Sequence, residues 1–257
     1  MMDTSKVVLE VNDLGINFGG LRAVDSLDMV IHENELYGLI GPNGAGKTTV
    51  FNMLTGVYPP TDGTIKLEGQ IINGKTPHEI AKLGIARTFQ NIRLFKNMTV
   101  KENVLLSLGA HADYNFFTGI FKLPKFHAQE LAMEDEAMRL LDVFELRDDS
   151  EKLAKNLPYG KQRELEIVRA LGVHPKLLLL DEPAAGMNPQ ETENLMRTID
   201  VVRKQFGISI LLIEHDMKLV MGICEKITVL NYGAMLACGT PEEIQNNPHV
   251  ISAYLGE

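Results

Sequence analysis

One stretch, Gly41-Pro42-Asn43-Gly44-Ala45-Gly46-Lys47-Thr48-Thr49, limits what this chain can fold into more than any other. It satisfies Gly-x-x-x-x-Gly-Lys-Thr at every fixed position, a pattern that has meaning between a strand and a helix. Both flanks comply: Leu36-Tyr37-Gly38-Leu39-Ile40 is a short apolar run of strand type, and Val50-Phe51-Asn52-Met53-Leu54 continues as a helix that stops at Gly56. Gly41, Gly44 and Gly46 let the backbone bend where a Cβ would clash, so successive amide N–H groups point into one concavity suited to an anion. The helix adds the positive end of its dipole. Lys47 then places an ammonium on the β- and γ-phosphates of a nucleotide, and the Thr48 hydroxyl is a ligand for the magnesium ion that bridges them. A glycine-rich turn that binds nothing would share the composition but not the flanks.

A chain of 257 residues, 45% of them hydrophobic, suffices for one large α/β domain or for a core with a smaller attached lobe. No apolar run approaches the ~18–20 residues that span a bilayer, and the polar start Met1-Met2-Asp3-Thr4-Ser5-Lys6 lacks the apolar segment of a signal peptide. A cytoplasmic protein is the expectation. Acidic residues outnumber basic ones by 34 to 25, a net of −9, and no lysine or arginine block stands out, which argues against nucleic acid as a partner. Cys224 and Cys238 have no metal-ligand spacing and read as small buried apolar residues.

Ahead of the phosphate loop, Val7 to Glu35 alternates loosely between apolar and polar, with Gly15, Gly19 and Gly20 marking turns, which predicts a small, partly exposed antiparallel sheet. Phe18 stands at such a turn, where an aromatic ring either packs or stacks on a base. More antiparallel strand is expected at Thr64 to Gly69. Gly84 to Gln90 reads as an apolar strand ending on an amide side chain, which is either a cap or a site residue. From about Asn91 to Asn156 the texture changes: Val100 to Leu108 and Leu131 to Phe144 are helical, as if a helical lobe were inserted into the α/β core. Between them lie Tyr114, Phe116, Phe117, Phe121 and Phe126, either lobe packing or an exposed docking patch.

Two later runs, Leu177 to Leu180 and Ile208 to Ile213, read as strands buried on both faces, typical of the middle of a parallel sheet. They deliver Asp181-Glu182 and Glu214-His215-Asp216 at their C-terminal ends, the edge where open α/β sheets bind ligands. Beside a phosphate loop, Asp181 would hold the magnesium ion and Glu182 would orient and deprotonate an attacking water. A plain solvated strand end is the alternative, but four leucines before the acids and Pro183-Ala184-Ala185-Gly186 after them fit it poorly.

In the order of these motifs the chain resembles the ATP-binding cassette (ABC) family over essentially its whole length. The matching elements are the phosphate loop, a glutamine loop at Gln90, a signature at Leu157-Pro158-Tyr159-Gly160-Lys161, the acidic strand Leu177 to Glu182, and a switch histidine, His215. The resemblance implies a P-loop NTPase core with a mostly parallel sheet, an N-terminal antiparallel β subdomain and an inserted helical subdomain. One ABC domain, 1–257, is then expected, with 1–90 and 157–257 as the α/β core, 91–156 as the helical subdomain, and the signature helix following at 157–172. It implies ATP and Mg2+ as ligands, adenine stacking for Phe18, a γ-phosphate contact for His215, and metal ligation for Gln90 with Thr48 and Asp181. It also implies a second cassette, identical or paralogous, whose signature serves the phosphates held here. Gly160 would begin a helix whose positive end faces that γ-phosphate.

The signature departs from the usual Leu-Ser-Gly-Gly-Gln, keeping the leucine and the second glycine, and the family's aspartate after Pro183 is here Asn188. With Ala86 to Phe95, the long aromatic segment and the ending Ala253-Tyr254-Leu255-Gly256, these departures are most similar to the ATPases of bacterial branched-chain amino-acid importers, the first of their two cassette subunits. That resemblance implies membrane permease subunits as partners, a peripheral position on the inner face of the cell membrane, and no direct contact with the solute. Related amide or urea importers, and soluble ABC ATPases without a transport role, are the alternatives.

Overall fold

The computed structural model describes residues 6–109 and 124–255, with the backbone alone over 124–128 and at 255. The aromatic residues expected to form a cluster, Tyr114, Phe116, Phe117, Phe121 and the side chain of Phe126, lie outside that description. The chain divides into two compact units, residues 1–90 with 176–257, and residues 91–175.

In the first unit, among the described residues, one ten-stranded mixed sheet runs in the order β5-β4-β1-β2-β10-β9-β3-β8-β7-β6. Its antiparallel half begins with β1 (Val7–Phe18) and β2 (Leu21–His32), joined at Gly19-Gly20, with β4 (Asp62–Leu67) on the far side of β1 and the short β5 (Gln70–Ile71) at the edge. Register shifts between Val11 and Leu14 and between Leu14 and Ile16 keep Leu9, Val11, Leu14 and Ile16 buried although their spacing breaks strict alternation. Gly15, expected at a turn, sits inside β1, where a Cβ would fall 2.2 Å from Arg22 Nη2.

The parallel half consists of β3 (Leu36–Ile40), β8 (Ser209–Ile213), β7 (Leu177–Asp181) and β6 (Ile85–Arg87). Every residue of β3, β7 and β8 is buried, as leucine- and isoleucine-rich strands covered on both faces require. β6 stops at Arg87, so Gln90 stands beyond the strand and not at its last position. On the other side of β3, β9 (Lys226–Asn231) runs parallel to it, and β10 (Ala234–Gly239) returns as a hairpin that meets β2 at Ala234–Asp25. Cys224 is buried, whereas Cys238, on β10, is exposed, against the expectation that both are interior.

Helices α1 (Lys47–Leu54) and α2 (Pro77–Leu83) belong to this unit. The second unit carries α3 (Val100–Leu108), α4 (Pro124–Val143) and α5 (Tyr159–Leu171). The first resumes with α6 (Pro189–Phe206), α7 (Met217–Ile223), α8 (Pro241–Gln245) and α9 (Pro248–Leu255). In the second unit α5 packs on both α3 and α4, and Val104, Leu108, Leu141, Leu165 and Val168 are buried there. The helix after the signature is therefore held by the helical unit, whose boundary falls at Pro175 and not at Asn156. No helix among the described residues is long and apolar enough to cross a membrane.

Candidate active site

The site begins where buried β3 runs out. At Gly41 the backbone turns with φ 152°, and a Cβ there would lie 2.2 Å from the Leu230 carbonyl oxygen; at Gly46, φ 104°, it would lie 2.8 Å from that of Ala23. Only glycine satisfies both the angle and the space. Gly46 is the N-cap of α1, with no side-chain cap and no acid in the first turn. Among the described residues the amides of Gly46, Lys47, Thr48 and Thr49 donate to no protein acceptor, and the helical ladder starts only with Val50 N–H to Gly46 O, 3.0 Å. Unsatisfied amides and the helix dipole thus converge on one point, a cradle built for an anion. Lys47 is buried, its Nζ donating to the carbonyls of Gly41 (2.6 Å) and Pro42 (2.9 Å). Burial pulls its ammonium below the usual lysine range, and the charges of Glu182 and Asp181 oppose that shift.

A cleft of about 620 Å3 opens over the loop, walled by Phe18, Arg22, Gln90, Glu182 and Tyr232. Phe18 ends β1 half-exposed, braced by the edge of Tyr58 with ring centres 5.2 Å apart. Tyr232 is 90% exposed and holds a left-handed φ of 48° in the β9–β10 turn. That turn is fixed by Gly233 N–H to Ala45 O (3.1 Å) and Asp25 N–H to Gly233 O (2.8 Å). Its place on the cleft follows from the pairing of β9 with β3.

At the end of β7, Asp181 is buried against Arg87, whose Nη2 donates to Asp181 Oδ2 at 2.7 Å. Glu182 follows with φ 47°, its N–H on Ile213 O at 2.9 Å, which turns its carboxylate toward the cleft. Gln90 Nε2 donates to Glu182 Oε2 at 2.8 Å, and His215 Nδ1 lies 3.9 Å from the same oxygen. His215 itself is largely exposed. Beneath them is a carboxylate that sequence reasoning left unassigned. Glu214, 1% exposed, accepts from the amides of Ala184 (2.9 Å) and His215 (3.1 Å), and burial pushes its pKa up against those bonds.

Glu182, Gln90 and His215 are thus brought together, and Asp181, Phe18 and the loop Gly41 to Thr49 share the same unit. The signature lies in the second unit. Leu157 is buried, Pro158 occupies the N-cap of α5 without a side-chain cap, and Tyr159 is exposed. Gly160 is buried within the first turn and does not begin the helix, which starts at Tyr159. Lys161 is bound to Asp149 at 2.7 Å.

A phosphate loop, an acid-ended buried strand and a glutamine–glutamate–histidine cluster on one sheet define a P-loop nucleotide-binding protein. The family is settled by comparison. The chain belongs to the ABC transporter family, whose profile matches residues 24–185, and residues 234–257 match that of the branched-chain amino acid ATP-binding cassette transporter. It is 50% identical over 253 residues to the high-affinity branched-chain amino acid transport ATP-binding protein BraF of Pseudomonas aeruginosa, covering 98% of this chain and 99% of that one. It is 49% identical to the corresponding LivG of Escherichia coli with the same coverage. Among solved structures, the ADP conformation of MJ1267, an ATP-binding cassette of an ABC transporter, superposes with a TM-score of 0.84 at 29% identity, covering 98% of this chain and 99% of that one.

Proposed function

We propose that the protein is the ATP-hydrolysing subunit of a membrane importer for branched-chain amino acids. The observation that carries hydrolysis is Glu182, held at the cleft by the left-handed turn after β7, with Gln90 on its carboxylate and His215 beside it. The solute class is supported by the names of relatives identical at half of all positions over nearly the whole chain.

The residues present fit the nucleotide and its metal. The open amides of α1 and the buried Lys47 suit a triphosphate. Among the described residues no group of three His, Cys, Asp or Glu side chains could cage a metal. A magnesium ion needs none, since it binds through one or two carboxylates and the substrate's phosphates. Thr48, Gln90 and Asp181 are the residues that would hold it, and when bound it neutralises charge on the phosphates. Lys47 exchanges its two carbonyls for phosphate oxygens, Phe18 stacks on the adenine, and Glu182 holds a water and takes its proton. His215 contacts the γ-phosphate from the end of β8. The signature, Leu157 to Lys161, serves the nucleotide of a second cassette through the uncapped start of α5. Permease subunits hold the pair on the inner face of the cell membrane, and the solute never touches it.

Gentle solubilisation of membranes and purification of this chain tests the reading. Multi-span permease proteins and a second cassette should accompany it, and phosphate release by the assembly should rise with leucine, isoleucine or valine and its external binding protein. Stimulation by amides or urea instead would move the solute class. Soluble partners alone would remove the importer reading.

A further inference from the structure

Arg87 carries a buried charge that the hydrolytic scheme does not use. It is the last residue of β6, and its two terminal nitrogens are both engaged: Nη2 on Asp181 Oδ2 and Nη1 on Asn52 Oδ1, each at 2.7 Å. The guanidinium lies over two aromatic rings, 5.4 Å from the centre of Phe51 and 5.2 Å from that of Phe89. Its side chain is 9% exposed and that of Asp181 7%. Arg87 Nε has no acceptor among the described residues. Phe51 and Asn52 belong to α1, the helix that bears Lys47 and Thr48, and Asp181 ends β7, so one side chain ties the phosphate-binding helix to the acid strand.

Asp181 is the carboxylate assigned above to the metal, and the inference rests on that assignment. A carboxylate this buried needs a counter-charge whenever no metal is present. Arg87 supplies it and engages only Oδ2; Oδ1 receives no protein hydrogen bond among the described residues. A dication and a guanidinium beside one carboxylate repel each other. We propose that Arg87 is an internal counter-cation that competes with the metal for Asp181. It satisfies Asp181 in the empty cassette and weakens binding of a bare divalent ion, so that the site accepts a metal only with the negative charge of a triphosphate beside it. Arg87 is thus a positioning residue that makes metal binding conditional on nucleotide.

The test uses the full chain, Mn2+ as the probe by electron paramagnetic resonance, and a non-hydrolysable ATP analogue. Arg87→Gln removes the charge and keeps a hydrogen-bond donor on a shorter side chain; Arg87→Lys keeps the charge. The Gln variant should bind Mn2+ about tenfold more tightly than the wild type, with the larger gain in the absence of nucleotide, and the Lys variant should stay within about threefold of wild type. In thermal unfolding the Gln variant should lose stability without ligand and recover it with Mn2+ and nucleotide. Equal stability loss with and without the metal, or metal affinity unchanged or weakened in the Gln variant, would make Arg87 a structural strut and overturn the proposal. A tenfold loss of affinity in Arg87→Lys would do the same, and it decides the matter even if Arg87→Gln fails to fold. If the wild type binds no Mn2+ with nucleotide, the nucleotide reading falls and the inference with it; if it does bind and the variants do not differ, the inference alone falls.

Discussion

At Glu214 a fully buried carboxylate accepts two amides, one from Ala184 in the loop after Glu182 and one from His215, so it ties the ends of β7 and β8 together. Burial raises its folded pKa above the ordinary 4.5, so the ionised form is disfavoured in the folded state. Below pH 4.5 the group costs nothing, stability is lost as pH rises from there to the raised folded value, and the penalty is constant above it. Glu214→Gln removes this titration. Urea unfolding across that range should show the variant gaining on the wild type as pH rises, and a pH-independent difference would contradict the assignment. Glu182 was read as a candidate from its place after an apolar strand at the ligand-binding edge, and His215 from the motif order of the resemblance. Glu214 was not, since its neighbours Ala184 and His215 meet only when β7 and β8 lie side by side. The same holds for Arg87, which looked like one more polar residue of a strand.

Among the elements, α5 has no side-chain cap and carries a buried charge pair. Arg163 is fully buried and donates to Glu166 Oε2 at 3.0 Å, while Glu166 Oε1 accepts from the Arg93 amide at 3.0 Å. Arg169, one turn on, donates to the Arg93 carbonyl, so the segment after Gln90 is held by the helix that follows the signature. Glu166→Ala removes the carboxylate that both the Arg163 guanidinium and the Arg93 amide bond. A loss of about 3–5 kcal/mol is expected in denaturant unfolding, and a loss under about 1 kcal/mol would mean that the pair is not structural. Helix α3 spans Val100–Leu108 as its apolar pattern predicts, and Thr99 with Glu102 closes its start in a capping box. Elsewhere the limits moved: α4 begins at Pro124 and not near Leu131, and α5 at Tyr159, one residue before Gly160. The register shifts of β1 escaped detection because loose alternation conceals an extra residue.

For the whole chain, the motif order was enough to place it in its family, because each motif lies on an element whose periodicity the sequence declares. The exchange of signatures proposed between two cassettes belongs to no single chain and had to come from resemblance. An isolated cassette should therefore hold ATP and hydrolyse it slowly, while a pair should close over two nucleotides. The most direct test is to follow phosphate release, nucleotide binding and size in solution for the wild type and Glu182→Gln. Glu182→Gln should bind ATP with near wild-type affinity, lose at least about 100-fold in turnover, and elute as a dimer with Mg2+ and ATP. Undiminished phosphate release by Glu182→Gln would remove Glu182 as the base and contradict the mechanism at its centre.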